Sequence, residues 1–151
     1  MFPTLGRDKY AVLLHATSAT RKVWPEISWL RLAEHLSAQG IISVFPFGSA
    51  AERQRSERLA AQIPGARVPP ALNLDQLAAL MARACVVIGV DTGLSHLAVA
   101  LGRPTVGLYC ATDPAATGLY ASARALNLGG VGMTPSVNEV AGAIQRLLEI
   151  T

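Results

Sequence analysis

What this sequence has little of narrows the reading first. Two cysteines, Cys85 and Cys110, are too few for a disulfide framework and lie too far apart for zinc-ligand spacing. Cys85, directly before an apolar run, reads as a reduced core thiol. Charged residues are sparse at 15% and nearly balanced: 13 Lys and Arg against 10 Asp and Glu give a net charge of +3. With no basic run, a nucleic-acid partner is disfavoured; the small excess suits a site for a small anion. No apolar stretch approaches the roughly 20 residues of a membrane span, and no signal-peptide pattern precedes Tyr10, so a cytoplasmic protein is expected. There is no G-x-G-x-x-G, which argues against NAD, and no G-x-S-x-G, which argues against a hydrolase. No D-x-D pair offers a divalent-metal site, and His15, His35 and His96 lack ligand spacing. The expected metal and cofactor complement is none.

What is present is one domain's worth of chain. Half of its 151 residues are apolar, enough for a large core. Residues 1–9, with Pro3, Gly6 and mixed charges, read as a linker or lead-in, and residues 10–151 as the folded domain.

The organising stretch runs from Val86 to Pro104. Val86 to Val90 is an unbroken, largely β-branched run, the pattern of a strand buried on both faces. The chain turns at Asp91-Thr92-Gly93 and enters a short helix, Leu94 to Leu101, closed by Gly102 and stopped by Pro104. Such a turn leaves free backbone N–H groups at the positive end of a helix dipole, a place where phosphate or carboxylate binds. Thr92 and His96 stand beside it. The plainer reading makes Asp91 or Thr92 an N-cap and His96 a packing residue; spacing alone leaves both open.

The rest follows a strand–helix alternation. Tyr10 to Leu14 is a strand. His15 to Lys22 is a small polar loop whose hydroxyls and two cations either receive phosphate oxygens or are simply solvated. Pro25 suits the first turn of a helix running to Gln39, with Trp29, Leu30, Ala33, Leu36 and Ser37 on its inner face, and Trp24 packs at its entrance. A strand over Ile41 to Phe45 leads through Pro46-Phe47-Gly48-Ser49 into a helix from Ala51 to Ile63. In its first turn Glu52 either complements the dipole or accepts from the vicinal hydroxyls of a sugar. Arg53, Arg55 and Arg58 read as a solvated face with Glu57. A short strand is expected over Ala66 to Val68, kept short by Pro69-Pro70. Asn73 and Gln76 form a capping box for a helix from Leu74 to Ala84. Thr105 to Tyr109 is a strand, Cys110 to Ser122 an irregular loop, and Ala125 to Leu128 a last strand. Ser136 and Glu139 cap a closing helix, Val137 to Leu148, with Val137, Val140, Ala141, Ile144, Leu147 and Leu148 inward.

Strands alternating with helices imply an α/β fold with a doubly wound, Rossmann-like parallel sheet. In such sheets ligands bind beyond the carboxyl ends of the strands. His15 to Lys22, Gly48 to Glu52, Asp91 to His96 and Thr112-Asp113 all fall there.

These residues resemble a known family. Val90-Asp91-Thr92-Gly93-Leu94-Ser95-His96, Arg103-Pro104, and Thr112-Asp113-Pro114 after a strand are similar to the bacterial lipopolysaccharide heptosyltransferases, GT-B glycosyltransferases of family 9, and most of all to their heptosyltransferase I branch. His15-Ala16-Thr17, Lys22-x-Trp24-Pro25 and Pro46-Phe47-Gly48 leading to Glu52 fit the same pattern. Cys110-Ala111 departs from it, since the family usually has Gly-Pro there.

The resemblance covers the C-terminal half of the family's two Rossmann-like halves. It implies a domain for the donor, ADP-heptose. The Kdo-lipid A acceptor and the catalytic base would belong to the N-terminal half, so no catalytic residue is assigned to this chain. The implied reaction is an inverting, metal-independent glycosyl transfer at the cytoplasmic face of the inner membrane, with peripheral membrane association of the full-length enzyme only. Implied donor contacts are Lys22 and the amides of Thr92, Gly93 and Leu94 on the diphosphate, with Thr17 and Ser18 assisting. Glu52 would hold the ribose and Leu72 the adenine, while Asp91 and His96 would orient the heptose hydroxyls or nearby phosphate. Two other functions compete: a nucleotide-sugar binding module without chemistry, and a nucleotide-sugar epimerase. The epimerase should carry paired carboxylates at the sugar site, where only Asp91 is found.

Overall fold

A computed structural model describes residues 8–16, 23–90, 93–110, 124–130 and 133–150. Its strands are β1 (Tyr10–Leu14), β2 (Ile42–Val44), β3 (Val86–Val90), β4 (Thr105–Tyr109) and β5 (Ala125–Gly129). Its helices are α1 (Glu26–Ala38), α2 (Ala50–Ala60), α3 (Leu74–Ala82), α4 (Gly93–Ala100) and α5 (Val137–Ile150). The α/β alternation expected from the sequence is therefore observed.

The strands form one parallel sheet in the order β2-β1-β3-β4-β5. Every residue of β1, β3 and β4 is buried, which is why these segments are continuously apolar rather than alternating. The expected strand over Ala66 to Val68 shrinks to a single parallel bridge from Arg67 to Val44 outside β2. Pro69-Pro70 cannot donate to a ladder and ends the pairing at once. Counting that bridge as a rudimentary strand, the sheet has the strand order of the dinucleotide-binding folds, with its topological switch point between β1 and β3.

Successive strand residues point to opposite faces. On one face Ala11, Leu13, Ile88 and Val106 pack against α1, α2 and α5; on the other Val12, Leu14 and Val87 pack against Met81 of α3 and Ala98 of α4. Trp24 is fully buried, meets Trp29 edge-on at 4.8 Å between ring centroids, and donates its indole N–H to the Pro135 carbonyl at 2.9 Å. That bond ties the entrance of α1 to the entrance of α5.

Both expected capping boxes are formed, Asn73 with Gln76 and Ser136 with Glu139. Four expectations are corrected. The buried face of α1 is Trp29, Leu32, Ala33 and Leu36; Leu30 is half-buried and Ser37 exposed. Pro25 stands just before α1 as its cap rather than inside its first turn. Helix α2 ends at Ala60: the N–H groups of Gln62 and Ile63 reach only three residues back, to Leu59 and Ala60, a tightened final turn before Pro64-Gly65. Helix α3 ends at Ala82, where Arg103 donates to the carbonyls of Ala82 and Ala84. Among the described residues no helix is long and apolar enough to cross a membrane.

Candidate functional site

The carboxyl ends of the strands hold those expected site residues that fall among the described ones. Helix α4 follows β3 there, and a serine and a glycine fix where it sits. Ser95 is buried and donates to the Val90 carbonyl at 2.9 Å. A Cβ added to Gly89 would lie 2.3 Å from the Ser95 hydroxyl oxygen and 3.1 Å from Leu14 Cβ. The helix thus rests directly on the strand backbone, so its first amides stand at the mouth of the sheet. Gly93, its first residue, is exposed, and a Cβ added there would meet nothing within 4 Å. Leu94 is half-buried against the core and His96 is exposed. His96 is therefore no packing residue.

Two strand spacings away, about 10 Å at the usual separation, β2 exits into Pro46-Phe47-Gly48. Ser49 caps α2 by accepting from Glu52 N–H at 3.2 Å, and the Glu52 carboxylate reaches back to accept Gly48 N–H through Oε1 at 2.7 Å. Glu52 is half-buried, and none of the other described residues engages its carboxylate. Leu72 lies just before α3, half-buried against the same core as Leu94. Glu52, Leu72, Gly93, Leu94 and His96 are thus gathered at one end of the sheet. Thr17, Ser18, Lys22, Asp91 and Thr92 lie outside the described residues, as do residues 111–123 with Thr112 and Asp113.

Sequence reasoning missed one cluster. His15 is not part of a solvated loop: it is fully buried, with Nε2 2.6 Å from Ser56 Oγ. Burial, and then the neighbouring Arg55, hold its pKa down at about 4. Arg55 leaves the solvated face assigned to it, donating to the Trp24 carbonyl at 3.1 Å with Glu26 3.8 Å from its Nε. Arg58 forms a two-pronged pair with Glu26 at 3.0 and 2.9 Å, while Arg53 pairs with Glu57 as expected. The signal that could have exposed the cluster is a polar Ser56 on the inward side of an otherwise hydrophilic helix.

A cavity of about 460 Å³ lies at the opposite end of the sheet, lined by Lys9, Gln39, Ile41, Cys85, Arg103, Pro104 and Leu148. It faces the amino ends of the strands, away from both helix N-termini described above, and its Arg103 is occupied in capping α3.

Residues 2–141 match the model for Glycosyltransferase family 9 (heptosyltransferase). Lipopolysaccharide heptosyltransferase 1 of Pseudomonas aeruginosa is 47% identical over 111 residues, 74% of this chain and 31% of the relative. The E. coli heptosyltransferase WaaC solved with ADP superposes with a TM-score of 0.87 at 36% identity, over 97% of this chain and 47% of that one. The same enzyme with ADP-2-deoxy-2-fluoro heptose gives 0.79 at 35% identity, over 91% and 43%. The chain thus spans about a third of the curated relative and just under half of the solved ones.

Proposed function

Because this chain belongs to glycosyltransferase family 9, the heptosyltransferases, we propose that it is their C-terminal, donor-binding half. In this reading it holds ADP-heptose for an inverting, metal-independent transfer to the Kdo of the lipopolysaccharide inner core. The observation that carries the reading is the grouping of Glu52 and the α4 N-terminus around the switch point between β1 and β3, where doubly wound sheets take their ligands. The solved relatives with ADP and a fluorinated ADP-heptose support the same donor class.

In the proposed arrangement the free face of the Glu52 carboxylate accepts from the ribose hydroxyls and Leu72 lies against the adenine. The diphosphate sits on the amides of Thr92, Gly93 and Leu94, with Lys22, Thr17 and Ser18 around it. Asp91 and His96 orient the heptose. During transfer an acceptor hydroxyl oxygen bonds to the anomeric carbon as the bond from that carbon to the phosphate oxygen breaks. The electron pair leaves with ADP, and the hydroxyl proton passes to a base on the N-terminal half. What this chain supplies is a fixed positive field where the leaving charge develops, which needs no reorganisation at the moment of reaction. The working location is the cytoplasmic face of the inner membrane, where the full-length enzyme meets Kdo-lipid A.

Calorimetry tests the reading. The 151-residue chain is expected to bind ADP and ADP-heptose and to transfer nothing to Kdo-lipid A by itself. Turnover by this chain alone would overturn the half-enzyme assignment; failure to bind ADP would overturn donor binding altogether.

A further inference from the structure

We infer that His15 and Ser56 are positioning residues for Glu52: they clamp α2 to the exits of β1 and β2 and so set where the Glu52 carboxylate stands. The inference rests on the donor-binding reading above and adds to it a pair of residues that touch no ligand.

Proton accounting fixes the direction of the chain of hydrogen bonds. Ser56 Oγ lies 3.2 Å from the Pro46 carbonyl and 2.6 Å from His15 Nε2. A carbonyl only accepts and a hydroxyl has one proton. Ser56 therefore donates to Pro46 and accepts from His15, which makes the ring the Nε2–H tautomer with a bare Nδ1. The held-down pKa of His15 agrees with a neutral ring. One relay thus joins the residue after β1, a residue of α2 and the residue pair after β2.

Glu52 and Ser56 are four apart in α2 and so share one helix face. That face makes both attachments, Ser56 to His15 and Pro46, and Glu52 to Gly48 N–H at 2.7 Å. The helix has little else to hold it on the sheet. Among the residues of α2 only Ser56 and Leu59 are buried, against four in α1. Arg55, on the same inward face, donates to the Trp24 carbonyl, and the exposed Arg58 pairs with Glu26, but both contacts run toward α1, whereas Ser56 is the residue that joins α2 to the exits of β1 and β2. A carboxylate aimed at vicinal hydroxyls tolerates little displacement, so loosening this clamp should be felt at the ribose and nowhere else.

The experiment is ADP titration of the full chain, with dideoxyadenosine diphosphate, which lacks both ribose hydroxyls, as the second probe. Ser56→Ala and His15→Asn are expected to weaken ADP about fivefold, the size of one neutral hydrogen bond. They should leave the dideoxy ligand within about twofold, the experimental floor for unrelated sites. His15→Gln keeps an N–H near the Nε2 position and is expected to bind ADP better than His15→Asn at equal melting temperature. In the Glu52→Gln background the Ser56→Ala penalty should vanish. Equal losses for both ligands, or a Ser56→Ala penalty undiminished without the Glu52 carboxylate, would overturn the inference while leaving donor binding intact. Absence of ADP binding by the wild-type chain would remove both.

Discussion

Gly89 and Ser95 are matched to each other: the serine hydroxyl occupies the space that any side chain on the glycine would need, 2.3 Å from its Cβ position. The glycine in the middle of an otherwise β-branched strand exists to let α4 approach the backbone. Gly89→Ala is expected to destabilise the fold by about 1–3 kcal/mol, the usual range for overpacking a tight interior. Urea denaturation measures it. Adding Ser95→Gly should recover part of the loss, because the hydroxyl is the nearer obstacle; Leu14 Cβ, at 3.1 Å, limits the recovery. An unaffected midpoint in Gly89→Ala would mean that α4 is free to shift.

What is legible in the sequence depends on how far apart along the chain the interacting residues lie. The capping boxes at Asn73 and Ser136 depend on residues three positions away and are legible in full. The strand ends are legible because buried parallel strands are continuous apolar runs, so the residues at the mouth of the sheet can be named from the sequence alone. His15 and Arg55 are misplaced by sequence reasoning because their partners are remote: Ser56 lies 41 positions from His15, and Trp24 lies 31 from Arg55. Nothing local marks a histidine after a strand as buried. The exchange of Leu32 for Ser37 on α1 is a phase error, since both fit an apolar stripe until Trp24 and α5 fix which side is covered.

Acid should reveal the buried histidine. Its folded pKa of about 4 lies below the ordinary value of about 6.5. Between those values the unfolded chain takes up a proton that the folded chain refuses, so the histidine's contribution is complete above pH 6.5 and is lost as the pH falls toward 4. The full span is on the order of 3 kcal/mol. Carboxylates titrate in the same window, so the comparison is with His15→Gln, whose stability should fall less steeply. Parallel curves for the two proteins would show that His15 does not titrate differently on folding.

ADP affinity is expected to be the same in Mg²⁺ and in EDTA. The sequence offers no paired carboxylates at metal-ligand spacing near the central turn, and the proposed positive field comes from a lysine and helix amides. A drop of tenfold or more, about 1.4 kcal/mol, in EDTA would mean that a divalent ion bridges protein and diphosphate.

Lys22→Ala should weaken ADP far more than adenosine. Of the two lysines, Lys9 stands at the amino end of β1, and Lys22 is the one that the proposed donor arrangement assigns to the diphosphate. A charge-assisted contact of this kind in a shielded site is worth about 1.5–3 kcal/mol, hence about tenfold or more in affinity. Adenosine carries no phosphate and should lose little. A solvated Lys22 whose role Arg21 can take over predicts otherwise: a change of at most about threefold, equal for both ligands and erased by moderate salt. Titrating both ligands into wild type and Lys22→Ala at low and moderate salt separates the two accounts. A selective, salt-resistant loss for ADP places Lys22 at the diphosphate, and equal losses for ADP and adenosine remove it from the site.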